Sequence, residues 1–181
     1  MTETNFTLPI HDLAERHRGV TRALGESYTE AARVCLDRHH ASPVTFELRS
    51  KGNTLGGVVE WISTDERTRD AWANEIDTTE AGAYACALAA IELTSEMVAV
   101  HRAETKTGAD YYIAPRGSEV NDLEDCYRLE VSGVDKAPLH IVEGRLRLKL
   151  NQAAKGKSNL PALASVIGFR AKLVLVENVE R

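Results

Sequence analysis

The sequence predicts a mixed α/β (or α+β) domain, and three observations lead there. Helical apolar spacing occurs before residue 40, through residues 78–96 and again through residues 138–154. Alternating or short apolar runs, bounded by Pro, Gly and Asn, mark extended segments between them. From Thr78 onward the two kinds of segment follow one another as helix, three strands, helix and one or two strands. A chain of 181 residues with 43% hydrophobic content is large enough for one core.

The elements follow in order. Met1–Leu8 reads as a loose start. Residues 10–40 are helical, with breaks expected near Gly19 and Gly25 and an apolar stripe of Ala31, Val34, Cys35 and Leu36. His39 and His40 close that helix, where cations favour the carbonyl end. Pro43 opens an alternating strand over residues 44–50, Lys51-Gly52-Asn53 is a turn signal, and residues 55–62 return as its hairpin partner. Ser63-Thr64-Asp65-Glu66 offers an N-cap for a short helix to about Glu75. A second helix opens at Thr78-Thr79 and carries a small-residue face of Ala83, Ala87 and Ala90, suited to tight packing on a sheet. Strands are expected at residues 97–101, 108–114 and 126–133, with an acidic loop over 115–125. Pro138 begins a helix with Leu139, Val142, Leu146 and Leu150 on one face, ended by Gly156 and Pro161. Residues 162–169 and 173–179 are two closing apolar runs. Residues 1–64 form an extension of helices and hairpin, and residues 65–181 the α/β core, of one domain.

Composition excludes several classes. A formal net charge of −5 with 27% charged residues argues against a protein that coats nucleic acid nonspecifically. No apolar run reaches the roughly 18–20 residues that a bilayer requires; residues 81–93 are alanine-rich and are interrupted by Glu92. No membrane association is therefore expected. Residues 1–9 lack a basic start followed by an apolar stretch, which makes a cytoplasmic location the default expectation. Cys35, Cys86 and Cys126 are odd in number and widely spaced, so they predict buried thiols rather than a disulfide framework or zinc site.

Several chemical signals fail on inspection. Gly156-Lys157-Ser158 resembles the end of a phosphate loop, but Asn151 stands where the first glycine belongs and the segment follows a helix. Gly56-Gly57 lies within a strand and fits a bulge or a close approach. The six histidines show no metal-binding pairing, and no Gly-x-Ser-x-Gly elbow exists.

One pair of acids remains. Asp110 follows Gly108-Ala109, and Glu130 sits mid-strand in Arg128-Leu129-Glu130-Val131-Ser132-Gly133, twenty residues later and on a plausibly adjacent strand. A lone carboxylate in a strand interior is costly, and two facing ones repel unless a divalent cation lies between them. Hard oxygen ligands of this kind suit Mg²⁺ or Mn²⁺. A structural reading competes: Asp110 as a strand-edge residue, and Glu130 paired with Arg128 or Arg145.

The order helix–strand–strand–strand–helix–strand, with Asp110 on the second strand and Glu130-x-Ser132 on the third, resembles the restriction-endonuclease-like PD-(D/E)-x-K superfamily. The resemblance covers about residues 78–179. It implies a metal held by Asp110 and Glu130, with Glu80 assisting from the helix. The motif proline is replaced by Ala109 and the motif lysine by Ser132, which cannot carry the positive charge that helps activate water and offset charge on the phosphate. A stand-in would come from Arg145, Arg147 or Lys149 on the following helix, or from Lys136. Arg145, Arg147, Lys149, Lys155, Lys157, Arg170 and Lys172 also form a stretch without Asp or Glu, a candidate surface for phosphate backbones; a solvated helix face is the plainer reading. Tyr111 and Tyr112 point to opposite faces of their strand, so at most one reaches the acids. Trp61 and Trp72 are expected at the junction of extension and core. The expectation is a Mg²⁺- or Mn²⁺-dependent phosphodiesterase acting on nucleic acid. The alternatives are a non-catalytic binding or assembly subunit with a protein partner or a second copy of itself, and an unrelated α+β protein.

Overall fold

Five helices and eight strands alternate along residues 5–179, the part of the chain that the computed structural model describes. They are β1 (Asn5–Thr7), α1 (Leu13–Arg16), α2 (Arg22–Asp37), β2 (Val44–Ser50), β3 (Asn53–Val59), α3 (Glu66–Ala71), α4 (Glu75–Ser95), β4 (Met97–Arg102), β5 (Tyr111–Pro115), β6 (Tyr127–Val134), α5 (Leu139–Ala154), β7 (Ala162–Gly168) and β8 (Leu173–Asn178). All strands join one mixed sheet in the order β1-β3-β2-β8-β7-β6-β5-β4. The pairs β6–β7, β2–β8 and β1–β3 are parallel and the others antiparallel.

Helices cover both faces of the sheet. α5 packs over β6, β7 and β8 on one side; α4 lies across the other, with α2 against it. β7 is consequently buried along its whole length, as expected of a strand covered on both faces. Alternation along β6 divides its side chains: Leu129 and Val131 enter the α4-side core, while Val134 packs with Val142 of α5. Small residues let the layers approach. A methyl group on Gly133 would lie 2.6 Å from the Thr79 carbonyl of α4, and one on Gly82 would lie 3.0 Å from the Ala32 backbone of α2.

Several boundaries differ from the expected ones for identifiable reasons. Of the expected loose start, residues 1–4 lie outside the described residues, and residues 5–7 form an edge strand beside β3. Gly25 does not break α2; it is buried where α1 and Val20 lie against it. That helix ends before His39 and His40, whose rings instead reach Asp135 and the Phe169 carbonyl. α4 starts at Glu75 because the Asn74 side chain accepts from the Ile76 and Asp77 amides. β5 starts at Tyr111, since Lys106 and Gly108 adopt positive φ and bend the preceding segment. Leu139 is 40% exposed rather than part of the buried stripe, which is carried by Val142 with half-buried Leu146 and Leu150. The hairpin of β2 and β3 turns at Lys51-Gly52, both left-handed. β2 then pairs with β8, which joins the N-terminal strands to the same sheet. Cys35, Cys86 and Cys126 are free and buried.

A buried ionic group pins the first helix. Glu92 of α4, its side chain 2% exposed, receives Arg16 Nε at 2.9 Å, His17 Nε2 at 2.7 Å and Arg116 Nη2 at 3.2 Å. The Ala99 amide donates to His17 Nδ1 at 2.9 Å, so the proton of the neutral ring is on Nε2, facing Glu92. Burial works against ionisation of Glu92, but its bonds to His17 and Arg16 outweigh that and hold its pKa below the usual carboxylate value. No helix of the described residues is long and apolar enough to cross a membrane.

Candidate functional site

The paired rungs of β5 and β6 end at Tyr111↔Leu129, and one step further the register brings Asp110 opposite Glu130. Beyond that rung β5 has ended, which leaves the β6 amide of Val131 without a strand partner on this side. The Asp110 carboxylate fills that place, with Oδ2 accepting from Val131 N at 2.7 Å. Its own amide donates to the Leu129 carbonyl at 2.7 Å, so Asp110 is held to β6 on both sides of Glu130. Its other oxygen, Oδ1, accepts from the Tyr84 hydroxyl of α4 at 2.8 Å.

Glu130 is reached from the opposite face. Lys149 Nζ of α5 lies 2.6 Å from Glu130 Oε1, and the two side chains are 21% and 15% exposed. Burial raises the Glu130 pKa, and the negative charge of Asp110 adds to this, against the lowering influence of Lys149 and Arg128. The acids are thus close enough to repel, and each has a partner from a different helix.

Arg102, at the end of β4, completes the α4 side. Its guanidinium carbon lies 4.7 Å from the ring centroid of Tyr84 and 4.8 Å from that of Tyr111. Nη2 donates to the Tyr84 hydroxyl at 3.0 Å and stands 3.8 Å from Asp110 Oδ1. Tyr84 therefore accepts from Arg102 and donates to Asp110. Burial, reinforced by the Asp110 charge, raises the Tyr84 pKa and keeps the phenol protonated for that role. The Tyr111 hydroxyl pairs with that of Tyr28 on α2 at 2.7 Å, which fixes the second ring. Tyr112 is half-buried on the other face of β5, against His101.

The other sequence candidates are distributed around this pair. Ser132 is half-buried two residues after Glu130, on the rung of β6 that pairs with Val166 of β7. Glu80 is exposed on α4, next to the Thr79 carbonyl that packs on Gly133, and does not gather with Asp110 and Glu130 into a three-acid group. Among the described residues no group of three or more His, Cys, Asp or Glu side chains gathers as a metal cluster. Of the basic stretch, Lys149 alone turns in to the acids, while Arg145, Arg147, Lys155 and Lys157 are exposed. The stretch is not one patch: Lys155 and Lys157 precede the start of β7, whereas Arg170 and Lys172 follow its far end, where Arg170 meets the Lys136 carbonyl. Lys136 itself pairs with Glu75 at 2.7 Å.

Arg102, Tyr84 and Tyr28 were not legible as site residues. Tyr84 alone carries a trace, as the one aromatic residue within an alanine-rich helical run. A surface depression of about 840 Å³ lies elsewhere, over β2 and β3, and is lined by Glu47 and Lys172 without a carboxylate pair.

The oxygen donors at this edge are the two carboxylates, without a third acid among the described residues. Asp110, just before β5, and Glu130 of β6 are 21% and 15% exposed, and Mg²⁺ is ordinarily held by one or two carboxylates with several retained waters. Compared with protein-family models, curated proteins and solved structures, the chain matches none.

Proposed function

We propose that the chain is a Mg²⁺- or Mn²⁺-dependent phosphodiesterase acting on nucleic acid, built on a restriction-endonuclease-like core of α4, β4, β5, β6, α5 and β7. The observation that carries this reading is the contact of Lys149 with Glu130, opposite Asp110 in the strand register. Lys149 supplies from the helix the cation that Ser132 cannot supply from the strand. Asp110 and Glu130 would hold the metal, which when bound acts as a Lewis acid and lowers the pKa of a water. Asp110 is oriented for this by Val131 N and Tyr84, so its free lone pairs point in a set direction. Burial and the Asp110 charge raise the Glu130 pKa, and Lys149 beside it works against that rise. Lys149 also offsets negative charge developing on a phosphate at this edge.

Thermal unfolding with and without millimolar Mn²⁺, for wild type and Asp110→Asn, tests the metal site. A ligand at ~100 times its dissociation constant stabilises the native state by ~2.7 kcal/mol, which amounts to several degrees in a domain of this size. The reading expects that shift in wild type, its loss in Asp110→Asn, and Mn²⁺-dependent cleavage that Glu130→Gln abolishes. No shift in either protein would overturn it.

One observation favours a second reading, a binding or assembly subunit that retains the fold without the chemistry. Both acids already have protein partners, Lys149 for Glu130 and Tyr84 with Val131 N for Asp110, with Arg102 3.8 Å from Asp110, so each is accommodated without a metal. Salt-sensitive nucleic-acid binding without cleavage and without a Mn²⁺ shift would select it.

A further inference from the structure

We propose that Arg102 is a phosphate-binding residue of this site, taking a backbone phosphate of the nucleic acid next to the acid pair; this rests on the phosphodiesterase reading. Arg102 is the last residue of β4, on the terminal rung opposite Tyr111, and its side chain remains 46% exposed. An exposed arginine usually samples many rotamers. This one does not have that freedom, because the rings of Tyr84 and Tyr111 lie on its guanidinium and the Tyr84 hydroxyl takes one of its N–H groups. Those rings are themselves fixed, Tyr84 by Asp110 and Tyr111 by Tyr28.

The guanidinium is fixed but not consumed. It has five N–H donors, of which the Tyr84 hydroxyl takes one and that of Tyr111 another. The approach to Asp110, at 3.8 Å, is too long for a hydrogen bond, so the charge is near the acid without being spent on it. A planar fork that is stacked, permanently charged and open to solvent on its remaining edge suits the bidentate geometry of a phosphate. Its location also answers an electrostatic need. Asp110 and Glu130 repel an incoming polyanion, and Lys149 offsets this only from the α5 side. Arg102 provides the cation on the α4 side.

The test measures binding of a fluorescein-labelled mixed-sequence oligonucleotide, as single strand and as duplex in DNA and RNA forms, over a range of salt concentrations. It is done in the Glu130→Gln background, which holds the probe uncleaved, with and without Arg102→Gln. Loss of one phosphate contact lowers the slope of log K against log salt by about 0.7 for a single strand or 0.9 for a duplex. Arg102→Lys is expected to keep the slope and bind more weakly, since it retains the charge without the stacked fork. An unchanged slope in Arg102→Gln would overturn the proposal and leave Arg102 as a neutraliser of Asp110, with the phosphodiesterase reading intact. Absence of binding by every form of the probe would overturn both. Phenylglyoxal labelling of the wild-type protein, read residue by residue by mass spectrometry, needs no variant: the oligonucleotide should protect Arg102, and unaltered labelling counts against the proposal.

Discussion

Lys149 Nζ lies 2.6 Å from Glu130 Oε1, yet the carboxyl still has a raised pKa, because burial and the Asp110 charge together exceed what the lysine returns. The sign of the stability effect follows. An acid whose pKa is higher folded than unfolded contributes stability below its ordinary value of 4.5, and that contribution is lost as pH rises through the folded value. Glu130→Gln is therefore expected to be more stable than wild type at neutral pH in the absence of metal, with the difference vanishing below the ordinary carboxylate range. Urea midpoints measured across acidic to neutral pH check this. A less stable variant at neutral pH would contradict it.

Lys149→Met separates the candidate stand-ins for the motif lysine. Removing the cation pushes the Glu130 pKa further up and leaves phosphate charge unopposed on the α5 side. A fall of about 10²-fold or more in single-turnover cleavage is expected, the size typical of one lost charge-stabilising group. Arg145→Ala and Arg147→Ala, both exposed and away from the acids, are expected to weaken binding without this loss.

Tyr84→Phe deletes the donor to Asp110 Oδ1 and the acceptor for Arg102 in a single atom. Hydrogen bonds to charged groups contribute about 1.5–3 kcal/mol, and the partial exposure of Asp110 places the expected loss near the lower figure. Chemical denaturation measures it. A smaller Mn²⁺ shift than in wild type is expected alongside, because the carboxylate loses one of its two orienting bonds.

Glu92 behaves oppositely to Glu130. Its pKa is lowered in the folded chain, so its contribution is present above the ordinary carboxylate value and is lost as pH falls through the folded value. Breaking a buried ion pair by removing one partner costs about 3–5 kcal/mol. Glu92→Gln is expected to be less stable than wild type near neutral pH, by less than that figure because Arg16 and Arg116 keep access to solvent, and little different under acid conditions. Equilibrium unfolding at both extremes tests the sign.

The order of elements is legible in the sequence because its causes are local. Alternation in residues 44–50, the Lys51-Gly52 turn and the Asp65 cap all act within a few residues, and each appears in the structure. The neighbourhood of Asp110 and Glu130 is legible for a similar reason, since one loop joins consecutive antiparallel strands. Lys149 is legible only as one of several cations on α5. Which of them turns inward depends on the rotation of that helix over β6 and β7, and no local rule sets it.

Sequence by itself determined the mixed α/β class, the helix and strand periods, the absence of a long apolar helix, and two acids that needed partners. The tertiary structure alone decided who those partners are. Tyr84 and Arg102 meet Asp110 because α4 and the end of β4 converge beside the point where β5 stops. Arg16, His17 and Arg116 meet Glu92 across 76, 75 and 24 residues of chain. The N-terminal strands enter the sheet through the parallel pairing of β2 with β8, which no turn between them specifies. These contacts follow from long-range packing, where the neutralising partner of a buried charge is chosen by which surfaces close together and not by spacing along the chain.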